Sequence, residues 1–398
     1  MTTDQTATGE TPLERHASWL ELFFDLLFVA IVSQLAHSLV GRVTAGQVLA
    51  VIGLFCPLWW LWVSFSYFSD TEERDTPGHR IGVLVIMACL VVTGGGVAGA
   101  LHGDPALFAL GIGLARLTST LLWALTVSHR FGRRATTRTA APYLVAAAAW
   151  LFSAALPAPA CYPVWAAALL LEAVPALRAP RGATATVRAT IDGPHLVERF
   201  GLFVIIVLGE GIVQIVAALG STGHAGAPTV LTGLAAFVLL AAVWWLYFDF
   251  GSEASLALLK ARPSDVWPLL RDGFALGHLL LVGGIVALSA GLGAAVTAAK
   301  AGGAHPETVR MVCAALLVYL LNNAVVGVTL GMSSVRKTAA WLLPDAAAVG
   351  TVWAAATRLA PGWAFLLLAA ALLLTALPSV LRRWRTPGVP DHSATVPG

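Results

Sequence analysis

The sequence predicts an all-α fold, a polytopic transmembrane helix bundle of about twelve spans. Three observations carry that prediction. Of the 398 residues, 58% are hydrophobic and only 11% are charged, and the mean hydropathy is +0.80. Soluble proteins average about 25% charged residues, so this chain could not cover a water-facing surface with polar groups. Apolar runs of about 20 residues, enough to cross a bilayer, recur along the whole length. Basic residues collect in alternate links between those runs. This composition excludes an ordinary soluble enzyme, a disordered protein and a nucleic-acid binder.

The first run, 20–40, opens ELFFDLLFV. Glu21 and Asp25 are four residues apart and share one helix face. Gln34 and His37 fall near the other end. Acids in this run, and the lack of a following A-x-A site, argue against a cleavable signal peptide. The second run, 47–68, carries Trp59-Trp60-Leu61-Trp62. The third, 81–101, holds three glycines at 94–96, and the fourth, 106–128, holds G-x-G at 111–113. Inside apolar spans these read as helix-packing sites, since small residues let helices approach. Arg116 sits near the middle of the fourth run. The fifth, 142–157, is short and is ended by Pro157 and Pro159; the sixth is 161–178.

A polar link, 179–197, precedes the second set. The seventh run, 200–220, has Glu198 and Arg199 at its mouth. Glu210 lies twelve residues on from Glu198, about 18 Å along a helix and near mid-membrane, between Gly209 and Gly211. The eighth, 229–250, carries Trp244-Trp245-Leu246-Tyr247. The ninth, 273–298, contains His278, and the tenth, 308–331, contains Asn322 and Asn323. The eleventh, 340–358, is interrupted by Pro344, Asp345 and Arg358. The twelfth is 361–381.

Cytoplasmic loops collect Lys and Arg. With the N-terminus inside, 19 of the 24 basic residues fall in inside segments, 4 fall outside and Arg116 lies within a span. Both termini are therefore expected in the cytoplasm. The expected organisation is a disordered tail at 1–18 and a six-helix membrane half at 19–178. A cytoplasmic linker at 179–198, a second six-helix half at 199–385 and a disordered tail at 386–398 complete it. The Trp-rich segments of runs two and eight, and the Glu-led openings of runs one and seven, read as traces of a parallel 6+6 repeat. Parallel halves of this kind are a transporter layout. Chance recurrence of interfacial Trp is the alternative.

An ionisable group at a helix centre costs roughly 2.5–3.5 kcal/mol on insertion scales, so each is a functional candidate. Asp25 and Glu210 lead on depth. Arg116 has a similar depth to Glu210, and an Arg116–Glu210 ion pair would relieve both charges. Glu21, Glu198 and Arg199 lie close enough to the interface to snorkel or cap a helix start. His37 and His278 read first as interfacial histidines, and Asn322 and Asn323 as interhelical hydrogen-bonding groups. Asp70, Asp249 and Asp272 lie at span ends and are expected to be solvated, as is the acidic run 70–75. The cysteines Cys56, Cys89, Cys161 and Cys313 form no C-x-x-C pair, and no H-E-x-x-H is present, so neither a metal nor a cofactor is expected. Walker and G-x-S-x-G motifs are absent too.

Two segments together resemble the bacterial low temperature requirement A family of membrane proteins. Residues 21–29, ELFFDLLFV, are close to its E-L-F-F-D-L-V-F-V signature, with Leu27 in place of the usual Val. Residues 198–210, ERFGLFVIIVLGE, match its E-R-F-G-L-F…L-G-E stretch. The resemblance implies an integral protein of the inner membrane. It marks Glu21, Asp25, Glu198, Arg199 and Glu210 as motif positions and brings no reaction or substrate with it.

Three functions compete. The first is a secondary transporter or permeation protein, with carboxylates that handle a small-molecule substrate or protons. The second is an intramembrane enzyme, an acid–base isomerase or cyclase on a lipid or isoprenoid-like substrate. The third is a structural or stress-related membrane component. The lipid bilayer is the partner expected in every case, and the sequence fixes neither the substrate nor the oligomeric state.

Overall fold

The computed structural model of the chain describes residues 17–40, 44–70, 76–178, 191–221, 226–252 and 266–385. The expected tails apart from Ala17 and Ser18, most of the linker, and residues 71–75 of the acidic run lie outside the described residues. Among the described residues there is no strand, and twelve long helices follow one another. They are α1 (Trp19–His37), α2 (Ala45–Asp70), α3 (Pro77–Leu101), α4 (Ala106–Phe131), α5 (Arg133–Ser153) and α6 (Cys161–Leu177). The second set is α7 (Gly193–Ser221), α8 (Ala227–Leu246), α9 (Gly277–Ala298), α10 (Pro306–Thr329), α11 (Val335–Ala355) and α12 (Pro361–Arg385). Nine helical segments among the described residues are long and apolar enough to cross a membrane, and α6 is a shorter apolar helix. The other two, α5 and α11, have 21 residues each, about 31 Å, which matches a hydrocarbon core of about 30 Å.

Local chemistry explains the helix starts. Ser18 and Glu21 form a reciprocal capping box at α1, with Ser18 N–H donating to Glu21 Oε2 at 2.9 Å. That satisfies donors the first turn leaves open. Ser334 caps α11 by accepting from Lys337 N at 3.3 Å. Three helix starts come five or more residues before the expected ones. The polar stretch before the fifth run is helical from Arg133. A single residue, Gly132 at φ +77°, makes the break from α4, a backbone conformation that suits glycine. α11 starts at Val335 rather than at 340, because the Ser334 cap sets its first turn. α7 starts at Gly193, where Asp192 Oδ1 accepts from His195 N at 3.4 Å. Glu198 and Arg199 are therefore inside the helix rather than at its mouth.

Two stretches are π-helical. Tyr247–Ser252 continues α8, and Leu270–Leu276 leads into α9. Such turns are rare and concentrate at functional sites.

Helix neighbours run in the same order in both sets. In the first, α1 packs on α3, α3 on α4, α4 on α5 and α5 on α6. In the second, α7 packs on α9, α9 on α10, α10 on α11 and α11 on α12. Contacts between the sets are made by α1 and α2 against α7 and α9. The glycines do the packing the sequence assigned to them. A Cβ on Gly96 would meet Phe108 N at 2.3 Å, and one on Gly111 would meet Thr93 Oγ1 at 2.4 Å, so α3 and α4 touch backbone to backbone. The outer surface is apolar, with Leu125, Phe152, Leu170 and Leu374 exposed. Such a surface suits hydrocarbon and not water.

Candidate functional site

Three helices bring a charged cluster together at the end where α1 and α7 begin. Glu21 and Asp25 come from α1, Trp62, Ser69 and Asp70 from the end of α2, and His195 and Arg199 from the first turns of α7. Arg199 is fully buried. Its Nη1 donates to Glu21 Oε1 at 3.1 Å, and its Nη2 lies 3.6 Å from Asp25 Oδ1. The guanidinium also lies over the Trp62 and Phe65 rings, 5.8 and 5.4 Å from their centroids, a cation–π arrangement. Asp25 Oδ1 accepts from Trp62 Nε1 at 2.7 Å, and Glu21 Oε1 from Ser69 Oγ at 2.9 Å. One turn nearer the membrane surface, His195 Nδ1 meets Asp70 Oδ1 at 2.6 Å.

Arg199 and Glu21 were expected to be interfacial; both are buried because α7 begins two turns early, which sets Arg199 inside the helix and lays Arg199 and His195 against Glu21. Asp70 was expected to be solvated. It is buried, since the start of α7 folds over it and His195 and the Asp192 amide bond to it. Asp272, also expected to be solvated, pairs with Arg271 at 2.6 Å, and Asp249 is half-buried. Glu198 is half-buried, one residue before Arg199.

A second polar chain runs along the α1–α7 seam toward the opposite end. Glu210 Oε1 accepts from Ser33 Oγ at 2.6 Å and from Gln214 Nε2 at 2.5 Å. Gln214 Oε1 faces His37 Nε2 at 2.8 Å, and His37 Nδ1 faces the Ser33 carbonyl at 2.8 Å. His37 is exposed and Glu210 is half-buried. Two proton placements satisfy these contacts. In one, His37 is an imidazolium that donates from both nitrogens, and Glu210 is a carboxylate. In the other, the Gln214 amide is rotated, His37 is neutral and accepts from it, and Glu210 carries the proton and donates to the amide oxygen. The two differ by one proton moved from the exposed histidine to the glutamate.

The expected Arg116–Glu210 pair is not formed. Arg116 Nη2 pairs with Glu172 Oε2 of α6 at 2.8 Å, and both side chains are buried. Depth fixes the level of a residue along the membrane normal but not its direction around the helix. α4 packs on α3 and α5, and its Arg116 turns into the first half. Glu172 was legible as an acid in the sixth run and was passed over.

A cavity of about 360 Å³ lies in the second half. It is bounded by the two π-helical stretches, α9, α10, α11 and α12, and it falls within the usual size range of small-molecule sites. His278, Asn322, Asn323, Tyr247, Asp345 and Thr375 supply polar groups to its wall. His278 Nδ1 donates to the Gly273 carbonyl at 3.0 Å, and Tyr247 Oη lies 2.9 Å from its Nε2. Asn322 donates to the Gly277 carbonyl at 2.8 Å and Asn323 to the Tyr319 carbonyl at 3.0 Å. Phe200 joins this wall to the charged cluster, edge-on to Trp62 at 4.8 Å and to Phe274 at 5.2 Å. Sequence reasoning put His278, Asn322 and Asn323 among the site candidates but not Tyr247, Tyr319 or Asp345. Asp345 had signalled itself as an acid inside the eleventh run. Among the described residues, no group of three or more His, Cys, Asp or Glu side chains is placed to hold a metal ion.

Twelve helices with an apolar exterior and buried ion pairs define a multi-pass integral membrane protein. The chain belongs to the bacterial low temperature requirement A protein (LtrA) family, whose sequence model matches residues 16–381. It is also similar to an uncharacterized protein of Rhizobium meliloti (strain 1021), 29% identical over 284 residues, which are 69% of this chain and 68% of that protein.

Proposed function

We propose that the protein is a secondary transporter of the bacterial inner membrane, with both termini in the cytoplasm and two parallel six-helix halves. The observation that carries this reading is the cavity of about 360 Å³ at the π-helical ends of α8 and α9. A purely structural bundle has no need of such a space. The seam from His37 through Gln214 and Ser33 to Glu210 supports proton handling, because its contacts are satisfied with one proton on either the exposed His37 or the partly buried Glu210, the Gln214 amide taking opposite orientations in the two cases. Asp25, Glu21 and Arg199 tie α1 and α2 to α7, where one half would move against the other. Arg116 serves packing inside the first half.

The test uses the full chain in lipid vesicles loaded with the pH dye pyranine. Fractions of a bacterial small-molecule extract are added outside. Some fraction is expected to produce an internal pH transient that Glu210→Gln abolishes. Gly327→Phe is expected to abolish it too. A Cβ at Gly327 meets only the Ser333 Cβ, at 3.9 Å, so the ring can enter the cavity. Signals equal to those of protein-free vesicles, or unchanged in both variants, refute the reading. Recovery of a chemically altered compound would favour the enzyme on a lipid or isoprenoid-like substrate instead.

A further inference from the structure

We propose that the cavity binds an organic cation, an ammonium or guanidinium head on an apolar body, with the head against Asp345. This rests on the reading of the cavity as a substrate site and names the substrate class.

Asp345 is a buried carboxylate in the cavity wall, 2% exposed. Its described partner is the Thr375 hydroxyl, 3.0 and 3.1 Å from its two oxygens. That hydroxyl has one proton, and the carbonyls of Leu372 and Ala371 compete for it at 2.9 and 3.2 Å. Among the described residues, the carboxylate therefore holds at most one hydrogen bond. A buried charge so thinly satisfied calls for a counter-charge. Among the described residues, no Lys or Arg lines the cavity, and the two ring nitrogens of His278 are taken up by the Gly273 carbonyl and the Tyr247 hydroxyl. The rest of the wall suits an amphipathic cation. Phe274, Tyr247 and Trp341 bring aromatic rings, a residue type that attracts cations, and Leu281, Leu320 and Val326 offer apolar contact.

The first half holds an internally filled version of this arrangement. α6 reads LLLEAVP over 169–175 and α12 reads LLLTALP over 372–378. Glu172 and Thr375 thus take the same place in the two strings. α5 and α11 each carry a proline inside the helix, eight residues after an arginine: Arg134 to Pro142 and Arg336 to Pro344. That places Tyr143 and Asp345 in register. In the first half the Glu172 carboxylate meets the Arg116 guanidinium at 2.8 Å, and the guanidinium lies 5.7 Å from the centre of the Tyr143 ring. In the second half the acid has moved to α11 and α12 supplies a hydroxyl. α10, which occupies the place of α4, presents Tyr319, Asn322 and Asn323 to the cavity where α4 presents Arg116. One half carries its own cation against its acid, and the other presents an acid to a cavity.

The test measures binding and flux separately, on the full chain. In nanodiscs, 2-phenylethylamine and its neutral isostere 2-phenylethanol are titrated while melting temperature and tryptophan fluorescence are followed. The amine is expected to raise the melting temperature and change the fluorescence, with the alcohol about tenfold weaker or more. Asp345→Asn, which keeps the side-chain shape, is expected to remove the preference for the amine. Should that variant fail to fold, the comparison of amine with alcohol on the unaltered protein decides alone. Equal binding of amine and alcohol overturns the assignment. So does amine binding that survives Asp345→Asn, or silence across a series of primary and quaternary ammonium ions up to millimolar concentration. Charge-dependent binding with no amine flux into vesicles would uphold the site and refute transport.

Discussion

Arg199 sits fully buried between two carboxylates, 3.1 Å from Glu21 and 3.6 Å from Asp25, with aromatic rings against its face. Removing one partner of a buried ion pair typically costs about 3–5 kcal/mol, because the remaining charge is left in a low-dielectric site. Arg199→Met is expected to destabilise the protein by that amount, read from denaturant-induced unfolding in detergent micelles. Arg199→Lys keeps the charge but not the planar fork that reaches both acids, and it is expected to fall between Arg199→Met and the unaltered protein. The double variant Glu21→Gln/Arg199→Met should lose clearly less than the sum of the single losses, since the two groups share one interaction. Additive losses would mean that the pair is not coupled. The sequence marked Glu21, Asp25 and Arg199 because charge inside an apolar run needs a reason. It could not give their partners, since Trp62 and His195 are not rare residues where they stand.

Helices α3 and α4 approach closely enough that some glycines there have no substitute. A Cβ on Gly96 would lie 2.3 Å from Phe108 N, and one on Gly111 would lie 2.6 Å from Thr93 N. Backbone cannot yield as a flexible side chain can, so the helices must separate. Alanine at either position is expected to cost about 1–3 kcal/mol, the usual penalty for overpacking. Gly95→Ala is the control: its Cβ would meet only Leu107 Cδ2, at 3.8 Å. It should be neutral or gain up to about 1 kcal/mol from better helix propensity. A neutral Gly96→Ala in the same unfolding assay would show that the close crossing is absent. Small residues in the third and fourth runs announced a packing site, but which of the three consecutive glycines faces the partner depends on helix rotation. The π-helical ends of α8 and α9 gave no such announcement. A π turn is an extra residue in a helix, and no residue type or spacing in YFDFGS or LRDGFAL marks where it falls.

Orientation belongs to the whole molecule. Basic residues gather at the ends where α4 meets α5 and α10 meets α11, as Arg130, Arg133, Arg134, Arg336 and Lys337. By the positive-inside rule those ends are expected to face the cytoplasm. Alkaline phosphatase fused after Gly103 is therefore expected to be active outside the cytoplasm, and the same fusion after Gly132 inactive. Green fluorescent protein on the C-terminus is expected to fluoresce. The reverse pattern would turn the bundle over. In the expected orientation the charged cluster and the wall of the cavity around Tyr247, Gly273 and Ser333 both lie toward the cytoplasm, and His37 lies toward the outside.

Hydrophobicity and the spacing of basic residues were enough to define a multi-pass helical membrane protein and the number and order of its long helices. Those properties act along one helix at a time, through transfer into lipid and the length of an apolar run, so they are written in the one-dimensional string. Which charges meet was decided only by tertiary packing. Arg116 turned to Glu172 and not to Glu210, Arg199 was carried inward to Glu21 and Asp25, and the cavity opened beside Asp345 rather than around the leading acids. Partner choice depends on the rotation of each helix about its axis and on which helices are neighbours. In lipid every apolar face is equally acceptable to the solvent, so the sequence leaves that rotation to the fit of side chains between helices.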